Sequence, residues 1–261
     1  MRPDALTVKT RARAHWEATD LGLALVQAHR KSLYAAWFAV LLPVALSALT
    51  LAYLSNHDGN TNLYSMWLLW WLKPLYDRVL LHVMSRAVFG ETVTWRDALR
   101  AIPGLLRHSG LFRALTWSRF SPQRSFRLPI WQLEGVTGDK RGHRIRALKS
   151  SGAIGLTFVC YTFEIILFLG LVGLLLMLLP PGSVPSRLDS LSDFFDGNKI
   201  PLWFEAAYIF VFLLVYTIIE PFYVAAGFML YLNRRTELEG WDIELGFRTL
   251  ATRLEAREAP S

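Results

Sequence analysis

The chain has 261 residues, 53% of them hydrophobic, and a formal net charge of +7. Its apolar residues gather in long blocks rather than short periodic groups, which excludes an ordinary soluble domain and indicates a multi-spanning membrane protein. The basic residues lie between those blocks, so the positive charge reports membrane topology before nucleic-acid binding.

The leader, residues 1–31, carries six Lys and Arg. Its stretch "WEATDLGLALVQAHR" reads as an amphipathic helix with Trp16, Leu23, Val26 and Arg30, expected to lie on the bilayer or on its own bundle. The first apolar block begins only at Ser32, too late for a cleavable signal, and is expected to be a retained anchor.

Four blocks each reach the roughly 20 residues that a helix needs to cross hydrocarbon. They are Ser32–Leu54, Leu63–Val83, Ser151–Leu179 and Leu202–Leu232. The expected fold is an all-α membrane protein with four transmembrane helices, since an open sheet would leave backbone groups unsatisfied in lipid. Pro43, Pro74 and Pro221 fall inside blocks and predict helix kinks. The expected organisation is a leader (1–31), a first helical pair (32–92), a basic cytoplasmic segment (93–150), a second pair (151–232) and an amphipathic tail (233–261). In the tail, Ile243, Phe247, Leu250 and Leu254 recur at helical spacing, beginning after Gly240.

Besides the six basic residues of the leader, Ser85–Ser150 holds thirteen and the tail from Asn233 holds five. The connections 55–62 and 180–201 hold none and two. By the positive-inside rule both termini are expected in the cytoplasm.

Blocks two and four match around their prolines, "KPLY" (Lys73–Tyr76) against "EPFY" (Glu220–Tyr223). Downstream, "WRDALRAIPGLLR" from Trp95 aligns with "WDIELGFRTLATR" from Trp241. A parallel repeat is therefore expected, two spans and a Trp-led helix used twice.

A cluster of charged residues is expected within the apolar blocks: Lys73, Asp77, Arg78, Glu164 and Glu220. Counted from the basic boundary of each block, Lys73, Glu164 and Glu220 share a depth on the order of 20 Å. A lone charge there costs about 2.5–3.5 kcal/mol by insertion scales. Lys73 is therefore expected to bond Glu220 or Glu164. Asp77, one turn away, is an alternative partner, and Arg78, His82 and Arg86 form a basic stripe. Register-setting ion pairs are the first reading of this set; a polar path for protons or an anionic solute is the second.

In the central segment, Arg119, Arg124 and Arg127 alternate with Phe120, Phe126 and Trp131. Arg119, Arg124, Arg127 and Trp131 are expected to contact anionic lipid headgroups or a partner protein, rather than nucleic acid. Pro122 and Pro129 predict irregular structure, with Glu134 pairing nearby arginines. Hydrolase, metalloprotease and nucleotide-loop motifs are absent from the sequence, so no catalytic residue, metal ligand or cofactor is expected and the chain is read as a non-enzyme.

"WEATDLGLAL", "FRLPIWQLEG" and "EPFYVAAGFMLYLNRRTELEGWDIEL" resemble a family of uncharacterised bacterial inner-membrane proteins encoded beside MoxR-type ATPases. They are loosely similar to the membrane region of some glycerophosphodiester phosphodiesterases. The resemblance implies a component of a membrane-associated assembly, with a MoxR-type ATPase system as a partner, and implies no catalytic residues. The expected function is a scaffold or assembly subunit; the alternative is a small transporter or channel subunit using the intramembrane charges.

Overall fold

The computed structural model describes residues 13–54, 61–108, 115–136, 138–148, 150–178 and 202–240. Along the chain run α1 (His15–Ala28), α2 (Arg30–Leu54), α3 (Thr61–Trp71), α4 (Lys73–Val88) and α5 (Trp95–His108). A 3-10 turn at Trp117–Phe120 precedes α6 (Arg124–Gln132), α7 (Gly138–Ala147), α8 (Gly152–Leu178) and α9 (Leu202–Glu239). The tail helix expected after Gly240 and the outer connections lie outside the described residues.

The protein is all-α. Three helices are long and apolar enough to cross a membrane: α2 over Arg30–Leu51, α8 over Gly152–Leu178 and α9 over Ala206–Glu239. The second expected span is not one helix. Leu63–Val83 divides at Leu72 into α3, of 11 residues, and α4, of 16. At about 1.5 Å per residue, α3 reaches only about 16 Å. The physical cause is Pro74, which has no N–H to give the Trp70 carbonyl. The next amide, of Leu75, bonds back to Leu72 O at 2.8 Å, so the Trp71 carbonyl is freed as well. By contrast α2 and α9 run through Pro43 and Pro221 without interruption.

Helix α4 carries Lys73, Asp77 and Arg78, yet 13 of its 16 residues are buried. It lies against α2, α5, α6 and α9 rather than facing lipid. Helix α9 continues past Leu232 to Glu239, because "NRRTELE" contains no breaker and its ion pairs suit helical spacing. Arg234 bonds Glu237 at 2.8 Å and Arg235 bonds Glu239 at 2.9 Å. Gly240, at φ 61°, ends it.

The first half of α9 packs on α8, where Phe168 meets Tyr208 edge-on at 5.1 Å. Its second half, Tyr223 to Leu232, is buried against α1, α4 and α6. The leader helix thus lies on its own bundle, with Ala18, Leu25 and Val26 inward and Trp16 and Leu23 outward. Asn233 clasps its start, accepting from Arg13 N (3.0 Å) and donating to Arg13 O (2.9 Å). Helix α8 leaves most of its apolar length uncovered, including Phe158, Phe163, Ile166 and Leu169, as a helix bathed by acyl chains would.

The Trp-led helix expected from Trp95 is α5, whereas the stretch expected to be irregular around Pro122 and Pro129 holds α6 and α7. Helix α6 accommodates Pro129 in its last turn, where Leu133 N closes on Pro129 O at 2.8 Å. It can lie in the bundle because Gly227 of α9 presents no side chain. A Cβ there would fall 2.4 Å from Ser125 Cβ and 2.7 Å from the Ser125 carbonyl carbon.

Candidate functional site: a buried charge network beside a polar cavity

Helices α4, α6, α8 and α9 each contribute to one network of charges. The Lys73 ammonium lies 2.7 Å from Glu220 Oε2, 3.0 Å from Glu164 Oε2 and 4.1 Å from the centroid of the Tyr216 ring. The other Glu220 oxygen, Oε1, accepts from Arg124 Nη2 at 2.8 Å. Arg124 Nε stands 3.4 Å from Asp77 Oδ2. Lys73, Asp77 and Glu220 are 4%, 2% and 1% exposed, so these charges are cut off from bulk solvent. Hydrogen-bonded, paired groups are the form in which buried charge is tolerable.

The carboxylate of Glu220 therefore bridges two cations, and Lys73 bridges two glutamates. Around them, Tyr223 Oη contacts Thr157 Oγ1 at 3.0 Å and accepts from Ser125 N at 3.3 Å. Trp37 Nε1 donates to Thr217 Oγ1 at 3.1 Å, one turn from Glu220. Lys73 holds both glutamates that the sequence offered it. Asp77 is engaged by Arg124 from α6. Arg78 is wholly buried and donates to Pro74 O at 2.7 Å, while its own carbonyl accepts from Gln132 Nε2 at 2.9 Å. The stripe below it ends in solvent, where Arg86 lies 3.6 Å from Glu91.

Arg119, Arg124 and Trp131 correct the expectation of headgroup or partner contact, because all three turn inward. Arg119 is 5% exposed. Its Nη1 donates to Trp71 O at 2.8 Å and its Nη2 to Trp70 O, while the guanidinium lies 3.4 Å from the Trp70 ring centroid. These are the two carbonyls that Pro74 leaves without helical donors. Arg124 completes the charge network, and Trp131 is buried beneath the Arg141 guanidinium, 5.4 Å from its ring centroid. Arg127 is half-buried and donates to Gln123 Oε1 at 3.1 Å.

Sequence reasoning thus missed Arg119 and Arg124 as members of the site. One signal was present: three carboxylates gathered near a single lysine require further cations, and the closest unassigned supply is the arginine-rich central segment.

A cavity of about 390 Å³ opens beside the network. Its wall includes Lys73, Arg119, Arg124, Glu164, Glu220 and Cys160. A second polar group lies at the opposite end of α6. Glu134 accepts from Arg144 Nε at 2.8 Å and from Tyr231 Oη at 2.7 Å, and Arg144 also reaches Glu239. Its hydrogen bonds, to Glu134 foremost, hold the Arg144 guanidinium above its ordinary value. Among the described residues, no group of three or more His, Cys, Asp or Glu is arranged to hold a metal ion.

Compared with known proteins, the chain matches no family model, no curated protein and no solved structure.

Proposed function

We propose that this protein is a scaffold or assembly subunit of a membrane complex, whose intramembrane charges serve to fix the bundle. The observation that carries this reading is the closure of the network. Asp77, Glu164 and Glu220 all find partners within the chain, and those bonds tie four helices together. Charges already committed to one another set register and approach. On this reading the chain sits in a bacterial inner membrane with both termini cytoplasmic, which the distribution of Lys and Arg supports. Four membrane-embedded segments count α3–α4 as a broken second span. The parallel repeat is supported by the direct pairing of its matched positions, Lys73 and Glu220, at 2.7 Å. The sequence resemblance supports a MoxR-type ATPase system as the partner.

The double variant Lys73→Met/Glu220→Leu tests the reading. It should fold and retain the crosslinked assemblies of the wild-type protein in native membranes.

The transporter reading draws on one observation, the cavity that reaches Lys73, Glu164 and Glu220. In proteoliposomes, proton or solute flux that Glu220→Gln abolishes would establish it and displace the scaffold.

A further inference from the structure

We propose that an anionic phospholipid headgroup binds between α7 and the end of α9, on the face of α7 that carries Lys140, His143 and Arg144. A cavity of about 700 Å³ lies there, within the roughly 300–1,000 Å³ typical of ligand sites. Lys140, His143, Arg144 and Ala147 all line it. Their spacing of i, i+3, i+4 and i+7 puts them on one side of the helix. Arg235 of α9 completes the basic wall, and Leu133 and Val136 form its apolar part.

The charge is positive with every neighbouring carboxylate counted. Lys140, Arg141, Arg144, Arg146 and Arg235 stand against Glu134, Asp139 and Glu239, an excess of two. The glutamates beside the wall are already engaged. Glu134 accepts from Arg144 and Tyr231, and Glu239 accepts from Arg144 and Arg235. Donors remain on the accessible side. Lys140 is exposed and enters no ion pair among the described residues. Arg144, its side chain 29% exposed, commits Nε and Nη2 to the glutamates and leaves Nη1 unbonded. The exposed His143 ring accepts from Arg146 at Nδ1, which puts its own proton on Nε2. Charge-assisted bonds from such groups hold phosphate oxygens well.

The place in the fold favours a lipid. Helix α7 ends at Ala147, and the apolar span α8 begins shortly after it, at Gly152. Clusters of about four to eight Lys and Arg beside a spanning helix bind anionic headgroups. Lys140, Arg141, Arg144, Arg146 and Lys149 form such a cluster directly before α8. Heights along α8 agree. Its exposed apolar side runs from Phe158 to Leu178, a rise of about 30 Å, the thickness of a hydrocarbon core. From Phe158 back to Gly152 the helix rises about 9 Å more, enough to cross a headgroup layer of roughly 5–8 Å. Helix α7 therefore meets the bilayer at the level of the headgroups. The arginines that turn inward, Arg119 and Arg124, take no part.

The test uses the full-length protein in dodecyl maltoside and reads the binding of single lipids by native mass spectrometry. Phosphatidylglycerol should bind, and zwitterionic phosphatidylcholine should bind about tenfold more weakly or not at all. Lys140→Gln/Arg146→Gln changes two exposed positions and should raise the phosphatidylglycerol Kd about thirtyfold, the worth of two basic residues near a headgroup. Arg96→Gln/Arg100→Gln removes the same charge from exposed positions of α5 and should leave that Kd unchanged. Equal affinity for the two lipids, an unchanged Kd in Lys140→Gln/Arg146→Gln, or an equal loss in both double variants overturns the site. Displacement of phosphatidylglycerol by an equal concentration of glycerol phosphate assigns the site to a soluble phosphate compound and overturns the lipid source. If Lys140→Gln/Arg146→Gln loses its helical circular dichroism, the wild-type arms and Lys140→Gln alone decide. No partner protein is present, so the result is independent of the scaffold reading.

Discussion

Removing the Lys73 ammonium offers the sharpest test of what the charge network does. In Lys73→Met the stem is replaced by a chain of similar volume, so packing changes little and charge is the variable. The bonds lost are those to Glu220 at 2.7 Å and Glu164 at 3.0 Å, together with the contact on the Tyr216 ring at 4.1 Å. Glu220, 1% exposed, keeps only Arg124, which it already shares with Asp77. Three carboxylates then face one arginine within the paired set. Breaking a buried pair from one side costs about 3–5 kcal/mol, a large part of a typical total stability of about 5–15 kcal/mol. Lys73→Met/Glu220→Leu behaves differently. Asp77 keeps Arg124, Glu164 can turn to the cavity it lines, and the deepest carboxylate is gone. Replacing both members of a buried pair by apolar residues is often neutral. The double variant should therefore be more stable than Lys73→Met alone, with a coupling energy of about 2–3 kcal/mol between the two sites. Denaturant unfolding in detergent micelles, followed by helical circular dichroism, measures all three variants. A double variant that loses as much stability as the two single variants combined would refute the pairing.

Arg119→Leu should cost about 1–3 kcal/mol for each of the Trp70 and Trp71 carbonyls it strands. Adding Pro74→Ala should recover part of that loss, because an amide at position 74 can donate to Trp70 O; unfolding midpoints of the single and double variants check this. Gly227→Ala drives a Cβ into the Ser125 backbone and should destabilise by about 1–3 kcal/mol. Gly104→Ala, with nothing within 4 Å, should stabilise α5 by up to about 1 kcal/mol, and thermal melts of the two proteins should move in opposite directions. At the start of α5, the hydroxyl and amide of Thr94 donate to the Asp97 carboxylate and hold it below the ordinary aspartate value. A carboxylate with a depressed folded value stabilises above its unfolded value of about 3.9 and loses that contribution as pH falls through the folded one. Hydrogen-exchange protection of the first turn of α5 should thus fall in acid below about pH 4, and Asp97→Asn should remove that dependence.

Much of the architecture was legible because lipid restricts the choices. A run such as Ser151–Leu179 can only be a helix where backbone groups must satisfy themselves, and the helix observed is Gly152–Leu178. The cost of an unpaired charge likewise demands a partner for Lys73 from the sequence alone. The break at Leu72 was not legible. Pro74, Pro43 and Pro221 are alike as letters, and the sequence does not show that a distant arginine, Arg119, takes up the carbonyls freed at Pro74.

The sequence by itself determined the three long apolar helices, and that Lys73 and its acids could not stand alone, since hydropathy and charge act through the length of a segment and the depth of a residue. Only the tertiary structure decided that Arg119 and Arg124 turn inward. Arg124 meets Asp77, 47 positions away, and Glu220, 96 positions away, because Gly227 lets α6 press against α9. That approach is a property of two surfaces in contact, and no local pattern in either segment encodes it.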